Sequence, residues 1–429
     1  MGTKVRYLVV GGGISGLAFA DWLKSDDYLI CEADDAIGGY CKTIQQDGFV
    51  WDYSGHFFHF RRPEIEAYLL ERMNDQKILR VEKDSRVFWD GEHIDFPFQK
   101  NIHQLPREDF LACLRDLYEA NEAAKDGAQT HANFRDMLYA KFGEGIAERF
   151  LVPYNEKLYA TDLAKLDPDA MGRFFPYADL GDVIRNFHAA DNGSYNATFT
   201  YPQGGAIQYV QALAKGVDPA KISLGERVLS VDVHTRTATT NKRTIEYEML
   251  VSSAPFPRVL EMAGMPAPVG DTYDWNVVEV FNLGFDRKGP IGPHWIYYPQ
   301  RELSFYRVGF YDNIFGTDRM SMYVELGRER GYGTDDATKK ETLATVLADL
   351  EKVGVVDGHE LVSHHHILLD PAYVHITSES NAAVAAAKRS LATRGVFTFG
   401  RYGSWTYCSI EDNIVEARAL ADACNAAGM

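Results

Sequence analysis

The first thirty or so residues alternate between apolar and glycine-rich stretches. Val5–Val10 is an apolar run broken only by Arg6, which is typical of a strand buried on both faces. A glycine cluster follows, Ile14–Leu23 predicts a helix, and Tyr28–Cys31 predicts a second short strand. This strand–helix–strand order predicts the start of a doubly wound parallel sheet.

The rest of the chain changes from helical to alternating patterns. Apolar positions at helical spacing predict helices at about 107–159, 206–215, 337–353 and 412–427. Short alternating runs at 221–251 predict strands that return to the first sheet, and 395–400 predicts a late strand. The aromatic and β-branched segment 275–326 predicts an antiparallel sheet. We therefore expect the first sheet to be assembled from the start, middle and end of the chain.

Composition and charge narrow the function classes. At roughly 100–200 residues per domain, 429 residues predict two or three domains. Hydrophobic residues at 46% and charged residues at 24% exclude a disordered or collagen-like chain. The 44 basic and 61 acidic residues give a net charge of −17, which argues against a nucleic-acid binder. A phosphate site must therefore use locally placed arginines.

The terminus and the cysteines indicate a cellular compartment. The chain starts without a basic-then-apolar leader, and no stretch approaches the ~20 apolar residues of a membrane span. Its five cysteines form neither an even disulfide framework nor a metal-binding pair spacing. We expect a reduced, soluble, cytoplasmic protein without a membrane partner.

A glycine motif lies between the first predicted strand and helix. Gly11, Gly13 and Gly16 form Gly-x-Gly-x-x-Gly. These glycines permit a tight turn, close approach of a pyrophosphate and close helix–strand packing, while the helix N–H groups face the phosphates. Glu32 ends the second strand, where a carboxylate binds ribose hydroxyls. The motif predicts a dinucleotide site rather than an incidental glycine turn.

A second glycine pair follows the acidic residue. The segment from Glu32 through Gly38-Gly39-Tyr40-Cys41 resembles the signature of FAD enzymes in the glutathione-reductase-like superfamily, in particular its amine-oxidase and protoporphyrinogen-oxidase branch. The resemblance implies FAD as the cofactor. From the residues alone, a surface Gly-Gly turn stays open.

The next motif contains a histidine. Asp52-Tyr53-Ser54-Gly55-His56 resembles the Asp-x-Gly-Gly-His stretch of UDP-galactopyranose mutases, with Ser54 in place of the first glycine. The resemblance implies that His56 lies against the flavin ring. A hydrogen-bonded core histidine is the alternative interpretation.

The resemblance to the eukaryotic-type branch of these mutases continues along almost the whole chain. Phe96-Pro97-Phe98-Gln99 resembles its uracil-binding segment, and 153–157 resembles a helix that faces the nucleoside. Arg173 and Asn196 fall at sugar-contacting positions, and 400–407 is the most specific match. The implied substrate-binding residues are Phe96, Phe98, Gln99, Tyr154, Asn155, Arg173, Asn196, Trp295, Tyr297, Arg307, Tyr373, Arg401 and Tyr407.

The same resemblance implies roles at the reaction centre. The implied catalytic residues are His56, Arg173, Arg307 and Arg401. The implied FAD-binding residues are Gly11, Gly13, Ile14, Ser15, Gly16, Glu32, Gly38, Gly39, Tyr40, Cys41, His56, Val228, Gly400, Asp412 and Asn413. Two departures bear on the substrate: Ile314 and Phe96 stand where this branch often has tyrosines.

Physical chemistry supports an anion site at the arginines. A diphosphate needs several fixed donors, and each charge-assisted bond from Arg307 or Arg401 contributes roughly 1.5–3 kcal/mol. Tyr373 and Tyr407 add neutral donors. The alternative, that each arginine pairs with a nearby carboxylate, stays open.

Two other features receive local interpretations. Asp412-Asn413 is a candidate N-cap of the last helix, whose N-terminus is expected to point at the flavin. His364-His365-His366 alternate between the two faces of a strand, so we predict no metal site there.

These features predict an α/β fold: a glutathione-reductase-like FAD-binding Rossmann domain with an inserted helical domain and an antiparallel β-sheet substrate domain. The FAD-binding domain is expected at 1–95, 201–270 and 386–429. The mainly helical domain is expected at 96–200 and the sheet domain at 271–385.

The resemblance implies a flavin-dependent isomerase. It would interconvert UDP-galactopyranose and UDP-galactofuranose through a bond between the reduced flavin N5 and the sugar, with electrons from NAD(P)H or a reductase. An oligomer stays open. The first alternative is an FAD-dependent amine-oxidase- or protoporphyrinogen-oxidase-like oxidoreductase. The second is a non-catalytic protein on the same scaffold, similar to the GDP-dissociation inhibitors.

Overall fold

The computed structural model describes residues 3–125, 130–172, 175, 179–188, 197–266, 270 and 272–428. Its helices are α1 (Ile14–Trp22), α2 (Pro63–Glu71), α3 (Arg107–Ala124), α4 (Phe134–Ile146), α5 (Val152–Tyr159), α6 (Leu180–His188), α7 (Ile207–Ala214), α8 (Phe256–Met262), α9 (Tyr311–Phe315), α10 (Asp336–Lys352), α11 (Ser378–Ala392), α12 (Gly400–Gly403) and α13 (Ile410–Ala426).

The strands, in chain order, are β1 (Thr3–Val10), β2 (Tyr28–Cys31), β3 (Thr43–Gln46), β4 (Phe49–Asp52), β5 (Ile78–Glu82), β6 (Ser85–Trp89), β7 (Glu92–Asp95), β8 (Thr198–Pro202), β9 (Ile222–Ser223), β10 (Val228–Asp232), β11 (Thr237–Thr240), β12 (Thr244–Ser252), β13 (Val277–Phe285), β14 (Trp295–Tyr297), β15 (Arg307–Phe310), β16 (Ser321–Arg328), β17 (Leu361–Leu369) and β18 (Val396–Thr398).

The first sheet has the order β10-β11-β12-β1-β2-β9, with β18 beside β12. β1 pairs in parallel with both β12 and β2, and β12 pairs in parallel with β18. Strands from the start, middle and end of the chain therefore meet in one sheet, which is the α/β arrangement that the sequence predicts.

α1 begins at the end of β1 and is buried from Ile14 through Ala20. This helix packs tightly against the strand end because residue 16 is glycine: a Cβ there would lie 1.9 Å from the carbonyl oxygen of Gly11. α13 packs along α1, and their apolar side chains share one core with α7. The glycine motif is thus held rigidly at the carboxyl end of β1.

The second sheet has the order β17-β13-β16-β15-β14-β6-β7. Its pairs are antiparallel except β14 with β6, which run in parallel. Side chains alternate between two faces, as the pleat requires. One face, with Val308, Val324 and Leu326, packs on α10. The opposite face, with Tyr297 and Arg307, borders a cavity.

The helical layer formed by α3, α4 and α5 covers that cavity-facing side. α5 approaches the sheet closely at Gly327, where a Cβ would lie 1.9 Å from the carbonyl oxygen of Lys157. The Lys157 ammonium donates to the carbonyl oxygens of Tyr298 (3.1 Å), Gln300 (2.8 Å) and Phe305 in the β14–β15 turn. α5 is therefore fixed on the sheet beside the cavity.

Over the part of the chain that the structure describes, no helix combines the length and apolarity needed to cross a membrane. All five cysteines are free thiols. Within the same residues, no group of three His, Cys, Asp or Glu side chains is placed to hold a metal ion. His366 instead bonds through Nε2 to the Glu279 carboxylate (2.9 Å).

Candidate functional site

Two cavities meet between the sheets. The first, of about 340 Å³, surrounds the glycine motif at the carboxyl end of β1 and β2. The second, of about 270 Å³, lies between the second sheet and the helical layer. The residues that border both cavities are Tyr40, His56, Arg401, Tyr402, Cys408 and Ile410. A ligand in one cavity therefore touches a ligand in the other near His56 and Arg401.

The glycine motif forms a cradle with room for a ligand. Gly11 has a φ of +106°, which disfavours a side chain. Gly13 is extended, and a Cβ built there would come no closer than 3.8 Å to any protein atom. This space next to the first turn of α1 suits a pyrophosphate, because the free N–H groups of the helix face it.

Glu32 is fixed at the end of β2. Its Oε2 accepts a hydrogen bond from the backbone N–H of Gly12 (2.6 Å), and its Oε1 accepts from that of Asp34 (2.8 Å). The side chain is only 8% exposed. Each carboxylate oxygen keeps a lone pair for a ribose hydroxyl.

The C-terminal segment closes the cradle. Asn413 Oδ1 accepts from the Ser15 hydroxyl (3.0 Å) and from the Arg401 backbone N–H (2.7 Å), so it ties α1 to the segment that follows β18. Gly400 has a φ of +77°, and a Cβ there would lie 2.4 Å from Ser15 Oγ. The contacts over this first cavity fit a dinucleotide that spans the end of the parallel sheet.

The prediction that Asp412-Asn413 caps the last helix is wrong by three residues. The N-cap of α13 is Ser409, whose hydroxyl accepts from the Asp412 backbone N–H, while the Asp412 carboxylate accepts from Ser409. Serine at the N-cap with an acidic residue three positions later is a capping box, which the apolar Ile410 obscured in the sequence pattern. The helix still starts at the junction, because Ile410 borders both cavities.

Aromatic side chains form one corner of the second cavity. The Phe96 ring lies 4.9 Å from Tyr297, and Tyr154 of α5 lies 5.2 Å from Tyr297 in an edge-on arrangement. Asn155 also borders the cavity; its Nδ2 donates to the Leu151 carbonyl (2.6 Å), and its Oδ1 has no donor within the described residues. This corner can take a flat heterocycle that also donates a hydrogen bond.

Arg401 is a half-buried cation without a carboxylate partner among the described residues. Its guanidinium lies 4.6 Å from the Tyr407 ring and 5.2 Å from the Tyr373 ring. Nη2 donates to the Ala372 carbonyl (3.2 Å), while the buried Nε finds no acceptor within the described residues. Because desolvating an unpaired charge is costly, this site favours an anionic ligand.

Arg307, unlike Arg401, is paired with a carboxylate. For Arg307 the alternative interpretation of the sequence, an ion pair with a nearby acidic residue, is therefore the one that the structure has. Its Nε donates to Glu325 Oε2 (2.8 Å) and its Nη2 donates to Glu325 Oε1 (2.6 Å). The two residues are direct cross-strand partners on β15 and β16. Burial alone would raise the pKa of the Glu325 carboxyl. The Arg307 guanidinium lowers this pKa by a larger amount, so it lies below its usual value.

His56 is neutral at the junction of the cavities. Burial lowers its pKa to about 4. Its Nδ1 lies 3.0 Å from the Ser54 carbonyl oxygen and donates to it, which leaves the Nε2 lone pair free to accept. The structure thus brings His56, Arg307 and Arg401 to one cavity wall, and both arginines act on the pKa of the histidine.

Some predicted site residues do not border the cavity. Phe98 and Gln99 are fully buried, and Phe98 packs on Phe150, whose ring forms the cavity wall. Phe96, two residues earlier, is half-buried and borders the second cavity. Arg173 and Asn196 lie outside the described residues.

Of the remaining predicted positions, Gly16, Gly400 and Asp412 border neither cavity, and the others border one cavity or the other. Those at the first cavity include Val228, Gly38, Gly39, Tyr40 and Cys41. Those at the second include Trp295, Tyr297, Tyr373 and Tyr407. The sequence interpretation missed Glu325, Tyr402 and Glu411, which also border the second cavity. A glutamate inside the apolar strand 321–326 was the available signal for Glu325.

Comparisons with known proteins agree with this architecture. The chain is 21% identical to protoporphyrinogen oxidase 2 of Arabidopsis thaliana over 99% of its own length and 93% of the relative. It is 26% identical to coproporphyrinogen III oxidase of Mycobacterium tuberculosis over 38% of this chain and 39% of that protein.

Solved structures share the fold. A crystal structure of reduced UDP-galactopyranose mutase superposes with a TM-score of 0.88 at 24% identity, over 97% of this chain and 93% of that chain. Putrescine oxidase bound to putrescine gives a TM-score of 0.65 at 15% identity, over 99% of this chain and 100% of the other.

A family model described as flavin containing amine oxidoreductase matches residues 14–425. That span begins directly after the glycine cradle and contains Ser15, Glu32 and Asn413, which border the first cavity and together with Gly11 and Gly13 fit a flavin dinucleotide. The chain therefore belongs to the flavin containing amine oxidoreductase family.

Proposed function

We propose that this protein is a flavin-dependent mutase that interconverts the pyranose and furanose forms of a UDP-sugar, with UDP-galactose as the expected substrate. The observation that supports this proposal best is Arg401, a half-buried guanidinium whose Nε is buried, which has no carboxylate partner within the described residues and borders both cavities. An amine oxidase with a cationic substrate has no use for such a group, whereas a departing diphosphate would be stabilised by it.

FAD would occupy the first cavity. Gly11, Gly13 and the N-terminus of α1 would hold its pyrophosphate, Glu32 its ribose, and Asn413 would fix the closing segment. When reduced, flavin supplies a nucleophilic nitrogen, and the net isomerisation consumes no electrons.

Arg401 would hold the leaving nucleotide. Its guanidinium offers a fixed positive charge, and the phenol rings of Tyr373 and Tyr407 exclude water around it. Charge stabilisation by a fixed donor in a dry site needs no reorganisation during the reaction. Arg307, already paired with Glu325, would add hydrogen bonds with little net charge.

The aromatic corner would take the base. Phe96 and Tyr297 offer ring faces, and the unmatched Asn155 Oδ1 would accept an N–H from a uracil. His56 would act as an acceptor through Nε2, since its low pKa keeps it uncharged above about pH 4. We also propose Arg173 and Asn196 as sugar-side contacts on the resemblance alone.

A second candidate is an FAD-dependent oxidase. The curated relatives support it, because those named above are protoporphyrinogen and coproporphyrinogen oxidases. In that case the apolar wall of the second cavity, with Phe57, Phe150 and Leu158, would hold the substrate. This candidate predicts oxygen consumption by the oxidised protein, and a propionate group of a porphyrinogen would then be the ligand of Arg401.

The two candidates separate in one assay. FAD-loaded protein, oxidised or reduced with dithionite or NAD(P)H, is incubated with a panel of UDP- and other nucleotide-sugars, and product ring forms are assigned by NMR. The mutase predicts furanose only with reduced protein. Oxygen uptake with porphyrinogens or amines, and no ring interconversion with any nucleotide-sugar, would establish the oxidase instead.

A matched pair of variants tests whether the unpaired guanidinium of Arg401 binds the diphosphate. Arg401→Ala removes the unpaired guanidinium and is expected to weaken binding of UDP roughly 10- to 150-fold, the value of one or more charge-assisted bonds. Arg115→Ala removes an arginine whose side chain is 67% exposed on α3, and it should leave UDP binding unchanged. Calorimetric titration measures both. Equal affinities in the two variants would place the diphosphate elsewhere.

A further inference from the structure

The Glu325 carboxylate lies in the floor of the second cavity and is only 1% exposed. Its two oxygens accept from Nε and Nη2 of Arg307, at 2.8 and 2.6 Å. Oε1 also accepts from the hydroxyl of Ser54. One buried carboxylate thus receives three hydrogen bonds from two residues on different elements.

This pairing determines how Arg307 faces the cavity. The guanidinium uses its Nε–Nη2 edge for Glu325, so the donors on Nη1 and the second Nη2 hydrogen remain for a ligand. The carboxylate also offsets the positive charge of the arginine. Arg307 is therefore a directional donor within a neutral pair, while Arg401 retains its charge.

Ser54 connects this pair to the histidine. Its hydroxyl donates to Glu325, and its carbonyl oxygen accepts from His56 Nδ1 at 3.0 Å. A glycine at position 54 would keep the carbonyl but would lack the hydroxyl. The side chain that departs from the Asp-x-Gly-Gly-His pattern is thus the one that links the His56 loop to the sheet.

We propose that Glu325 is a positioning residue that fixes the orientation of Arg307 and limits its charge, and that the Ser54 hydroxyl holds Glu325 in place. The proposal deepens the proposed function, on which it rests for the identity of the ligand. In that function, the charge of Arg401 attracts the diphosphate, and the fixed hydrogen-bond donors of Arg307 orient it. The clamp itself is a property of the protein and can be tested without a substrate.

The same sheet offers a matched control. Glu279 is fully buried; its Oε2 accepts from Arg328 Nε (2.8 Å) and lies 2.7 Å from Arg328 Nη2, and its Oε1 is bonded to His366 Nε2. This pair has the same chemistry as Arg307–Glu325, and neither of its two residues borders the second cavity. Glu279→Gln therefore reproduces the structural cost of Glu325→Gln without touching the site.

The test is modification of arginines in the FAD-loaded protein by phenylglyoxal, with peptide rates measured by mass spectrometry. In the unmodified sequence, Arg401 should react faster than Arg307, because a clamping carboxylate slows loss of the guanidinium proton. Glu325→Gln should raise the Arg307 rate about tenfold or more, the equivalent of a charge-assisted bond. Glu279→Gln should leave the Arg307 rate unchanged.

Ser54→Ala provides a second variant that keeps the ion pair and the backbone, so it tests the role of the Ser54 hydroxyl even if Glu325→Gln does not fold, and the Arg401-to-Arg307 rate ratio of the unsubstituted protein then tests the role of Glu325. It should raise the Arg307 rate about threefold, the equivalent of one weakened hydrogen bond. An Arg307 rate that stays constant in Ser54→Ala removes Ser54 from the proposal. A rate that stays constant in Glu325→Gln, or that rises equally in Glu279→Gln, overturns the role of Glu325.

Inorganic pyrophosphate separates this proposal from the function on which it rests. If Glu325 limits the charge of Arg307, Glu325→Gln should bind pyrophosphate about three- to tenfold more tightly, with a steeper salt dependence, whereas Glu279→Gln should not. If the unsubstituted protein binds neither pyrophosphate nor UDP, the proposed function fails, and the labelling rates alone decide whether Glu325 clamps Arg307.

Discussion

Arg307 and Arg401 show how differently one residue type behaves within a single cavity. Arg307 is clamped by a carboxylate that lies directly opposite it on the next strand. Arg401 is enclosed by tyrosine rings and a carbonyl oxygen. The first arginine is part of a structural ion pair, and the second is a charge that the fold leaves for a ligand.

Replacing Arg307 is therefore expected to cost stability as well as binding. Arg307→Ala leaves the Glu325 carboxylate buried and unpaired, which typically destabilises a protein by about 3–5 kcal/mol. Urea denaturation followed by tryptophan fluorescence measures the loss. The double variant Arg307→Ala/Glu325→Gln removes the stranded charge and should recover a large part of it. A single variant as stable as the double one would contradict this account.

The sequence identified both arginines but not the difference between them. Arg307 and Glu325 are eighteen positions apart and become neighbours only when β15 and β16 pair in one register. Because register depends on the whole sheet, no local pattern could assign the carboxylate to this arginine rather than another. The sequence could therefore predict that arginines lie at the site, but not which of them has a carboxylate partner.

Asp52 provides a test by pH. Its carboxylate is fully buried and accepts from the Thr43 hydroxyl, the Tyr201 hydroxyl and the Ala206 backbone N–H. Burial raises its pKa to about 7, against these three hydrogen bonds. Between the unfolded value near 4 and pH 7, the folded state binds the extra proton, so the free energy of unfolding falls as the pH rises.

The loss from this group totals about 4 kcal/mol between pH 4 and pH 7 and ends above pH 7. Asp52→Asn has no such proton to release, so the difference in free energy of unfolding between the two proteins should change with pH over this range. Denaturant titrations at each pH, in the same buffer series, measure it. A constant difference would show that Asp52 is ionised throughout.

At the scale of elements, α5 is held on the sheet by one cation. The ammonium of Lys157 supplies its three donors to three carbonyl oxygens of the β14–β15 turn, so donors and acceptors match. Burial nevertheless lowers the pKa of Lys157 to about 7. The helix that carries Tyr154 is thereby joined to the strand that carries Tyr297.

Lys157→Met is expected to destabilise the protein by about 1–3 kcal/mol, because buried carbonyl groups lose their donors. It should also weaken UDP binding, since the Tyr154–Tyr297 corner loses its support. Lys340→Met, at an exposed position on α10, is the control and should change neither quantity. Thermal unfolding and calorimetric titration give the two readouts. A drop in stability without a change in UDP affinity would show that the position of α5 does not affect binding of the base.

The sequence predicted most elements because their patterns are local. The strands of the first sheet and the helices α1, α3, α4, α5, α7, α10 and α13 follow from period and glycine position, whereas α2, α6, α8 and α11 were not predicted. The last helix differs at its cap, where Ser409 replaces the expected Asp412. Non-local features were missed. β6 pairs with β14 across about two hundred residues, and Phe98 turns into the core while Phe96 does not. Strand pairing and side-chain burial of this kind depend on tertiary contacts between segments that are distant in the sequence.

At the scale of the molecule, the first cavity joins three distant parts of the chain. Side chains and backbone from within 10–41, 226–262 and 401–413, together with His56, border it. A ligand that fills this cavity contacts all three and binds only the folded state. FAD is therefore expected to stabilise the whole protein, by about 2.7 kcal/mol at a free concentration one hundred times its Kd.

Two glycines of the same motif distinguish cofactor binding from folding. Gly13 is extended and a Cβ there meets no protein atom within 3.8 Å, so Gly13→Ala should fold normally yet place a methyl group where the pyrophosphate must lie. A Cβ at Gly16 would lie 1.9 Å from the Gly11 carbonyl oxygen, so Gly16→Ala should unfold more easily even without FAD. In thermal unfolding, added FAD should raise the Tm of the unsubstituted protein by a few degrees and leave that of Gly13→Ala unchanged. The protein itself leaves the space beside residue 13 open, so only a bound ligand would meet the added methyl group. Flavin absorbance that survives in purified Gly13→Ala would therefore show that the cofactor does not approach this turn.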